Sequence, residues 1–361
     1  MEQYFESCEA VMQPKGYPNE LPESSKILRR GAAKEQVPSG DVPRLVEFGA
    51  EKDEQGVELS ARRSMSETFL PEFFKAGGRL LPETRVRKLA KRGNIWRIKA
   101  VYQGLESIRV EADHVFVCAG AIHSPALLKR SGIRHNVGNT LALQPMVKLT
   151  AEFSDPINFV GMGIAGEQVK PDQGYSYGCA ISSRAHLAIN LAQDKGGSAY
   201  ALDNHRNLIS YYVMARGTLN GSVSVLPGFQ DPLVRYQISK RELKQQAKGV
   251  KGLSRLLLSA GAGQVFTGLN KTPLVKTHAE ADKLPRRLSR SCDGVMTIHL
   301  MSSCPMGELR KRTAVDSYGR VHDHPGLYVS DVSTVCTSLG VNPQGTILAL
   351  ARRNADHFLN S

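Results

Sequence analysis

The rhythm of apolar and polar positions changes twice along the chain. Residues 1–60 are polar and broken by Pro14, Pro18, Pro22, Pro38 and Pro43, which predicts loops with short helices rather than a compact unit. From Arg63 the pattern sharpens. Ser64 with Glu67 three residues on is a helix-start signal for a helix over 65–76, kinked at Pro71 and ended by Gly77-Gly78. β-prone runs at 79–81, 86–89, 95–101 and 107–112 read as a small meander. The run His114–Ala121 is almost wholly apolar and ends in small residues, as expected of a strand buried on both faces of a parallel sheet. Ser124 and Pro125 then offer an N-cap and a first-turn proline for a helix over 126–130, closed by Ser131-Gly132.

Between 145 and 295 the texture turns to alternation, at 147–153, 208–213 and 221–226. The basic stretch 240–248 reads as the solvated face of a helix. After it come Val250, Leu253, Leu256 and Leu257, spaced to share one helical face. This predicts an antiparallel sheet with helices on one side. The last part holds a β-prone run ending at His299, a strand over 326–331, and a helix opened by Asn342 as cap and Pro343 as first residue. Arg352 and Arg353 complement the dipole at its far end. The pattern as a whole is α/β with α+β mixing.

Composition narrows the classes. A chain of 361 residues with 41% hydrophobic and 22% charged residues is an ordinary globular one, and no 18-residue apolar window predicts a membrane span. The first residues lack the basic start and apolar run of a secretory leader, so a cytoplasmic location is the expectation. The six cysteines are scattered and no His pair has zinc spacing, which predicts neither a disulfide frame nor a metal site. Cys118, inside an apolar run, reads as a buried inert thiol. The net charge of +13 is spread as Arg/Lys pairs without aromatic interleaving, so no nucleic-acid partner is expected, and it disfavours a cationic substrate. Gly161-Met162-Gly163-Ile164-Ala165-Gly166 spells G-x-G-x-x-G, but turn residues follow it rather than a helix, so it reads as a glycine-rich loop.

Candidate chemistry sits near the C-terminus. A lone histidine such as His299 is more often structural, and Asn342-Pro343 by itself is a well-capped helix start. The two are 43 residues apart. The order His299, Cys304-Pro305-Met306-Gly307, then 315–321, 327–333 and Gly340-Val341-Asn342-Pro343-Gln344-Gly345-Thr346, resembles the C-terminal signature of the glucose-methanol-choline (GMC) family of flavin-dependent alcohol oxidoreductases. Ala119–Ile133 is similar to that family's internal signature, and 63–86 fits more loosely; together the resemblance covers roughly 63–150 and 210–361.

The resemblance implies hydride transfer from an alcohol carbon to the N5 position of FAD. By position, His299 becomes the proton acceptor and Asn342 the donor to the substrate oxygen. Pro343, Gln344 and Thr346, at the start of the last helix, would face the flavin pyrimidine edge. Asp331 and Val332 would lie along the ribityl or phosphate chain, and Val86 near the adenine. The implied fold is an incomplete FAD-binding Rossmann-like domain over 1–144 and 296–361, with an antiparallel substrate-binding domain over 145–295. The expected partner is a small-molecule alcohol. The family's N-terminal G-x-G-x-x-G strand-turn-helix is not found, so a truncated or split enzyme is expected, completed by a separate N-terminal FAD-binding polypeptide. The alternative is a non-catalytic flavoprotein remnant acting as a binding module.

Overall fold

The computed structural model describes all residues except 19, 53–57, 159–165, 173, 193–194, 271 and 291–293. All but the last residue of the glycine-rich 161–166 run therefore lies outside the described residues. An eight-stranded antiparallel sheet forms one layer. Its strands run Ser39–Asp41, Glu167–Asp172, Tyr175–Cys179, Leu208–Ala215, Met146–Glu152, Gln264–Phe266 and Leu274–Val275, with Val295–Met296 also paired to Met146–Glu152. Period-2 alternation gives this sheet two different faces. Val147, Leu149 and Ala151, with Tyr211 and Val213 from the neighbouring strand, are fully buried against the helix Lys240–Ser259. Met146, Tyr212 and Met214, one residue out of phase, look the other way, toward the cavity described below.

The basic stretch at 240–248 and the apolar face at 250–257 are one 20-residue helix. Its start is a capping box. Ser239 Oγ accepts from the Glu242 N–H at 3.2 Å, and the Glu242 carboxylate accepts from the Ser239 N–H at 2.7 Å. Gly249 lets the helix sit directly on the sheet, because a Cβ there would overlap Val213 Cγ1.

Residues 1–60 differ from expectation. Helices of 11 and 12 residues, Glu2–Met12 and Glu23–Lys34, occupy this stretch with strands Ser39–Asp41, Val46–Lys52 and Glu58–Arg62. The prolines fall between these elements, and Ile27, Leu28 and Ala32 are fully buried in the core of the antiparallel layer. Proline marked the boundaries of ordered elements here, not their absence.

A second, smaller core is built around Val115–Val117, which pairs in parallel with Leu327–Val329. The meander Thr84–Arg92, Ile95–Tyr102 and Glu106–Ala112 packs against it through Leu89 and Trp96. The strand expected over 114–121 is only three residues long and is not covered on both faces. Phe116 is 39% exposed and stacks on Tyr328 at 4.6 Å, and Cys118 is exposed rather than buried. The following helix begins at Gly120, not at 126, so Ser124 and Pro125 lie inside it. Pro125 cannot donate to the Ala121 carbonyl; Ser303 Oγ does so instead, at 2.6 Å.

Three smaller expectations also shift. Only Phe69–Lys75 is helical within 65–76, with Pro71 harmless in its first turn. Residues 79–81 pair with no strand among the described residues, and Leu80 and Leu81 are exposed. Gly221–Ser224 forms a separate hairpin with Leu233–Tyr236. No described helix is long and apolar enough to cross a membrane.

Candidate active site

His299 sits between two short strands, Val295–Met296 and Leu300–Met301, which pair with Met146–Glu152 and Ala142–Leu143 respectively. Its carbonyl accepts from the Gln144 N–H at 3.1 Å and from Thr297 Oγ1 at 3.2 Å, so the main chain is held at this point. The imidazole is half-buried, and its Nδ1 is buried without a hydrogen-bond partner. Burial lowers the ring's pKa below the ordinary value of 6.5. A lowered pKa favours the neutral imidazole near neutrality, and Nδ1 has no hydrogen-bond partner among the described residues.

Asn342 arrives from the loop 338–341, which is tied to the large sheet. The Gly217 N–H donates to Ser338 Oγ at 3.1 Å and Arg216 Nη2 to the Leu339 carbonyl at 3.1 Å. Gly340 takes φ +72° while lying against Arg216, a turn that a larger residue would strain. Gln144 closes the circuit by donating from Nε2 to the Val341 carbonyl at 3.2 Å. The expected cap does not form: Pro343 occupies the N-cap position, and the helix runs Gln344–Leu359 without a side-chain cap. The Asn342 side chain is exposed and makes no hydrogen bond among the described residues. Behind it, the first-turn N–H groups of Gln344, Gly345 and Thr346 precede the first intrahelical bond, Ile347 N–H to the Pro343 carbonyl at 3.0 Å.

His299 and Asn342 line one cavity of about 550 Å³. Gln344 and Gly345 contribute to the same wall. Met146, Tyr212 and Met214 form the sheet side, and Phe5, Met12, Arg44 and Leu45 come from the N-terminal part. Tyr212 lies across Gly178, where a Cβ would strike its hydroxyl. Burial, partly offset by the Arg44 charge, pushes the Tyr212 pKa up to about 12, so its hydroxyl remains a donor.

The other expected residues are placed elsewhere. Asp331 follows the parallel strand Leu327–Val329 and joins two chain turns. One carboxylate oxygen accepts from the Gly120 N–H at 2.8 Å and from Ser124 Oγ, and the other from the Ser333 N–H at 2.8 Å. Val332 packs beside Met301 and Leu350. Pro343 is buried, and Thr346 is half-buried on the last helix. Val86 lines a second cavity, of about 910 Å³, with Val117, Cys118, Ala119, His123 and Arg130. Cys118 is exposed at that rim; partial desolvation of its thiol by the cavity walls and the nearby Asp331 push its pKa up to about 11. The sequence reading missed Gln144, Arg216, Arg44 and Tyr212. Of these, Gln144 carried a signal, as a polar residue inside the apolar run Leu141-Ala142-Leu143-Gln144-Pro145-Met146-Val147. Among the described residues no cluster of three His, Cys, Asp or Glu side chains is placed to hold a metal.

An antiparallel layer is thus joined to a parallel strand–turn–helix unit in an α/β framework, with His299 and Asn342 on a shared cavity. Family models described as GMC oxidoreductase match residues 1–146 and 218–351, and the chain belongs to that family. The match reaches residue 1, well upstream of the 63–86 block that carried the resemblance. An uncharacterized GMC-type oxidoreductase of Sinorhizobium fredii is 36% identical over 83% of this chain and 61% of its own length. A long-chain-alcohol oxidase of Arabidopsis thaliana is 23% identical over 91% of this chain and 49% of its own. The chain spans between 46% and 61% of the length of the first curated relatives it matches. In fold it is similar to pyridoxine 4-oxidase of Mesorbium loti, with TM-score 0.63 and 18% identity over 95% of this chain and 72% of that one. Formate oxidase of Aspergillus oryzae gives TM-score 0.68 and 15% identity over 93% and 70%.

Proposed function

We propose that this chain carries the substrate-side half of an FAD-dependent oxidoreductase that oxidises the CH–OH group of an alcohol. The observation that carries this reading is the convergence of His299 and Asn342 on one cavity, with His299 Nδ1 buried and unpartnered. A neutral imidazole is the form that takes a hydroxyl proton. Asn342, uncommitted to the protein, donates to the oxygen as charge builds on it. Loss of that proton is what lets the carbinol carbon release hydride, and the alcohol leaves as a carbonyl compound.

The residues present fit a flavin. The N–H groups of Gln344, Gly345 and Thr346 converge beside Asn342 at the positive end of a 16-residue helix, which favours an electron-rich ring edge. Pro343 fixes where that helix begins. When bound, the flavin supplies the two-electron acceptor for the hydride. Both carboxylate oxygens of Asp331 are already engaged, so contact at 331–332 falls to the main chain and to Val332. The cavity beside Val86 is the candidate adenine end.

The test is to purify the chain, add FAD, and record flavin absorbance and its anaerobic bleaching by primary alcohols. His299→Gln and Asn342→Ala should keep the flavin spectrum and slow bleaching by roughly 100-fold or more. A chain that stays colourless with added FAD would remove the stand-alone form of the proposal, and variants that bleach at the natural rate would sink it. The colourless outcome would favour the non-catalytic binding module.

A further inference from the structure

Arg44 stands out within the wall of the His299–Asn342 cavity. Its main chain is fixed by a reciprocal pair with Lys15, N–H to carbonyl at 2.7 and 2.8 Å, so the side chain leaves from a set position. The guanidinium Nε is buried with no hydrogen-bond partner among the described residues. Nearby arginines differ: Arg29 pairs with Glu167 and Asp41, and Arg63 with Glu47. For Arg44 no carboxylate partner is found among the described residues.

The rest of the cavity offers no counter-charge inside. Burial keeps the thiols of Cys8 and Cys179 and the hydroxyl of Tyr212 protonated, and the Arg44 charge is felt at Cys179 and Tyr212 alike. His299 is neutral. Glu9 and Arg62 are exposed at the rim. The remaining walls, including Met146, Ile181, Met214 and Leu348, are apolar. A buried Nε–H without a partner among the described residues is a desolvation cost, and a ligand oxyanion that accepts from it removes that cost.

We propose that Arg44 binds a carboxylate carried by the substrate, so that the alcohol presented to His299 and Asn342 is an aliphatic hydroxy acid. One inner cation matches one anionic group, and the apolar walls match a hydrocarbon stem between the two ends. This rests on the alcohol-oxidation reading above.

The experiment uses the FAD-loaded chain and a matched set of probes. Calorimetry compares hexanoate with hexan-1-ol for binding, and anaerobic flavin bleaching compares 6-hydroxyhexanoate with hexan-1-ol. Hexanoate should bind roughly 10- to 100-fold more tightly than hexan-1-ol, as a charge-assisted hydrogen-bond pair implies. Arg44→Gln should abolish that preference and leave hexan-1-ol binding unchanged, while Arg44→Lys recovers part of it. Thermal unfolding followed through Trp96 checks that both variants are folded. Equal binding of the two probes to the natural chain overturns the proposal. So does loss of FAD, rather than of hexanoate, in folded Arg44→Gln, which would place the guanidinium on the cofactor. If no alcohol bleaches the flavin, the oxidation reading fails, and the hexanoate titration still reports on Arg44.

Discussion

Removing the Asp331 carboxylate should unfasten the two parallel strands from the turns that follow them. Its oxygens hold the Gly120 N–H at the start of one helix, the Ser333 N–H in the 332–334 turn, and the Ser124 hydroxyl. Hydrogen bonds to a charged acceptor contribute roughly 1.5–3 kcal/mol each. Ser333 is fully buried and cannot rehydrate, whereas Gly120 and Asp331 are half-buried and recover part of their loss in water. Asp331→Ala should therefore cost roughly 3–5 kcal/mol, a large share of the ~5–15 kcal/mol typical of a folded protein. Asp331→Asn keeps one acceptor and turns an NH2 group toward a donor, so about 1.5–3 kcal/mol is expected. The chain's one tryptophan, Trp96, belongs to the same small core as Val117 and Leu327, so its fluorescence in a urea titration reads this body. Hydrogen exchange across 115–124 and 327–336 should rise in parallel. A cost below ~1 kcal/mol with unchanged amide protection would refute the clamp. Loss of FAD binding at unchanged stability would show that the carboxylate meets the cofactor instead.

The burial-lowered pKa of His299 has a sign for stability. The unfolded chain takes a proton near 6.5 while the native ring resists it, so stability is full above that value and falls as pH drops below it. Melting temperatures between pH 5 and 8 should show His299→Gln losing part of that acid sensitivity; a variant with a steeper acid decline would contradict it. Gly249→Val drives a side chain into Val213, and roughly 1–3 kcal/mol of destabilisation is expected in the same urea titration. Gln144→Leu leaves the Val341 carbonyl without its donor and should slow alcohol-driven flavin bleaching more than it lowers the melting point. Equal losses in both would make Gln144 a stability residue alone.

The alternating runs at 147–153 and 208–213 were legible because one face of each strand packs apolar side chains on a helix while the other carries polar ones such as Lys148, Thr150 and Ser210. The parallel pair was legible as strands at 115–117 and 327–329 but not in its covering, since Phe116 and Tyr328 look the same in sequence whether stacked on each other at a surface or buried under a helix. The helix at Gly120 was read too short because Pro125 suggested a start. Ser303, distant in sequence, supplies the hydrogen bond that lets the proline sit inside. Glu23–Lys34 was hidden for a different reason. Its buried large or apolar side chains are just Ile27, Leu28 and Ala32 among charged neighbours, and most of its partners, on Glu167–Asp172, Tyr175–Cys179 and Lys240–Ser259, lie more than a hundred residues away.

The candidate site shows the same division. Motif order was enough to single out His299 and Asn342, but nothing local says that they meet. Their meeting depends on residues without a motif. Gln144 touches both segments, through its N–H to the His299 carbonyl and through its amide to the Val341 carbonyl. Arg216 and Gly217, at the end of a central sheet strand, hold the loop that delivers Asn342. Three of these four contacts end on a main-chain carbonyl and the fourth on the Ser338 hydroxyl, so the geometry is set mainly by backbone position rather than by the His299 and Asn342 side chains. Those side chains are then left with free polar atoms in a half-buried cavity. An arrangement that commits its framework and leaves His299 Nδ1 and the Asn342 amide unpaired is suited to a ligand that supplies the missing partners.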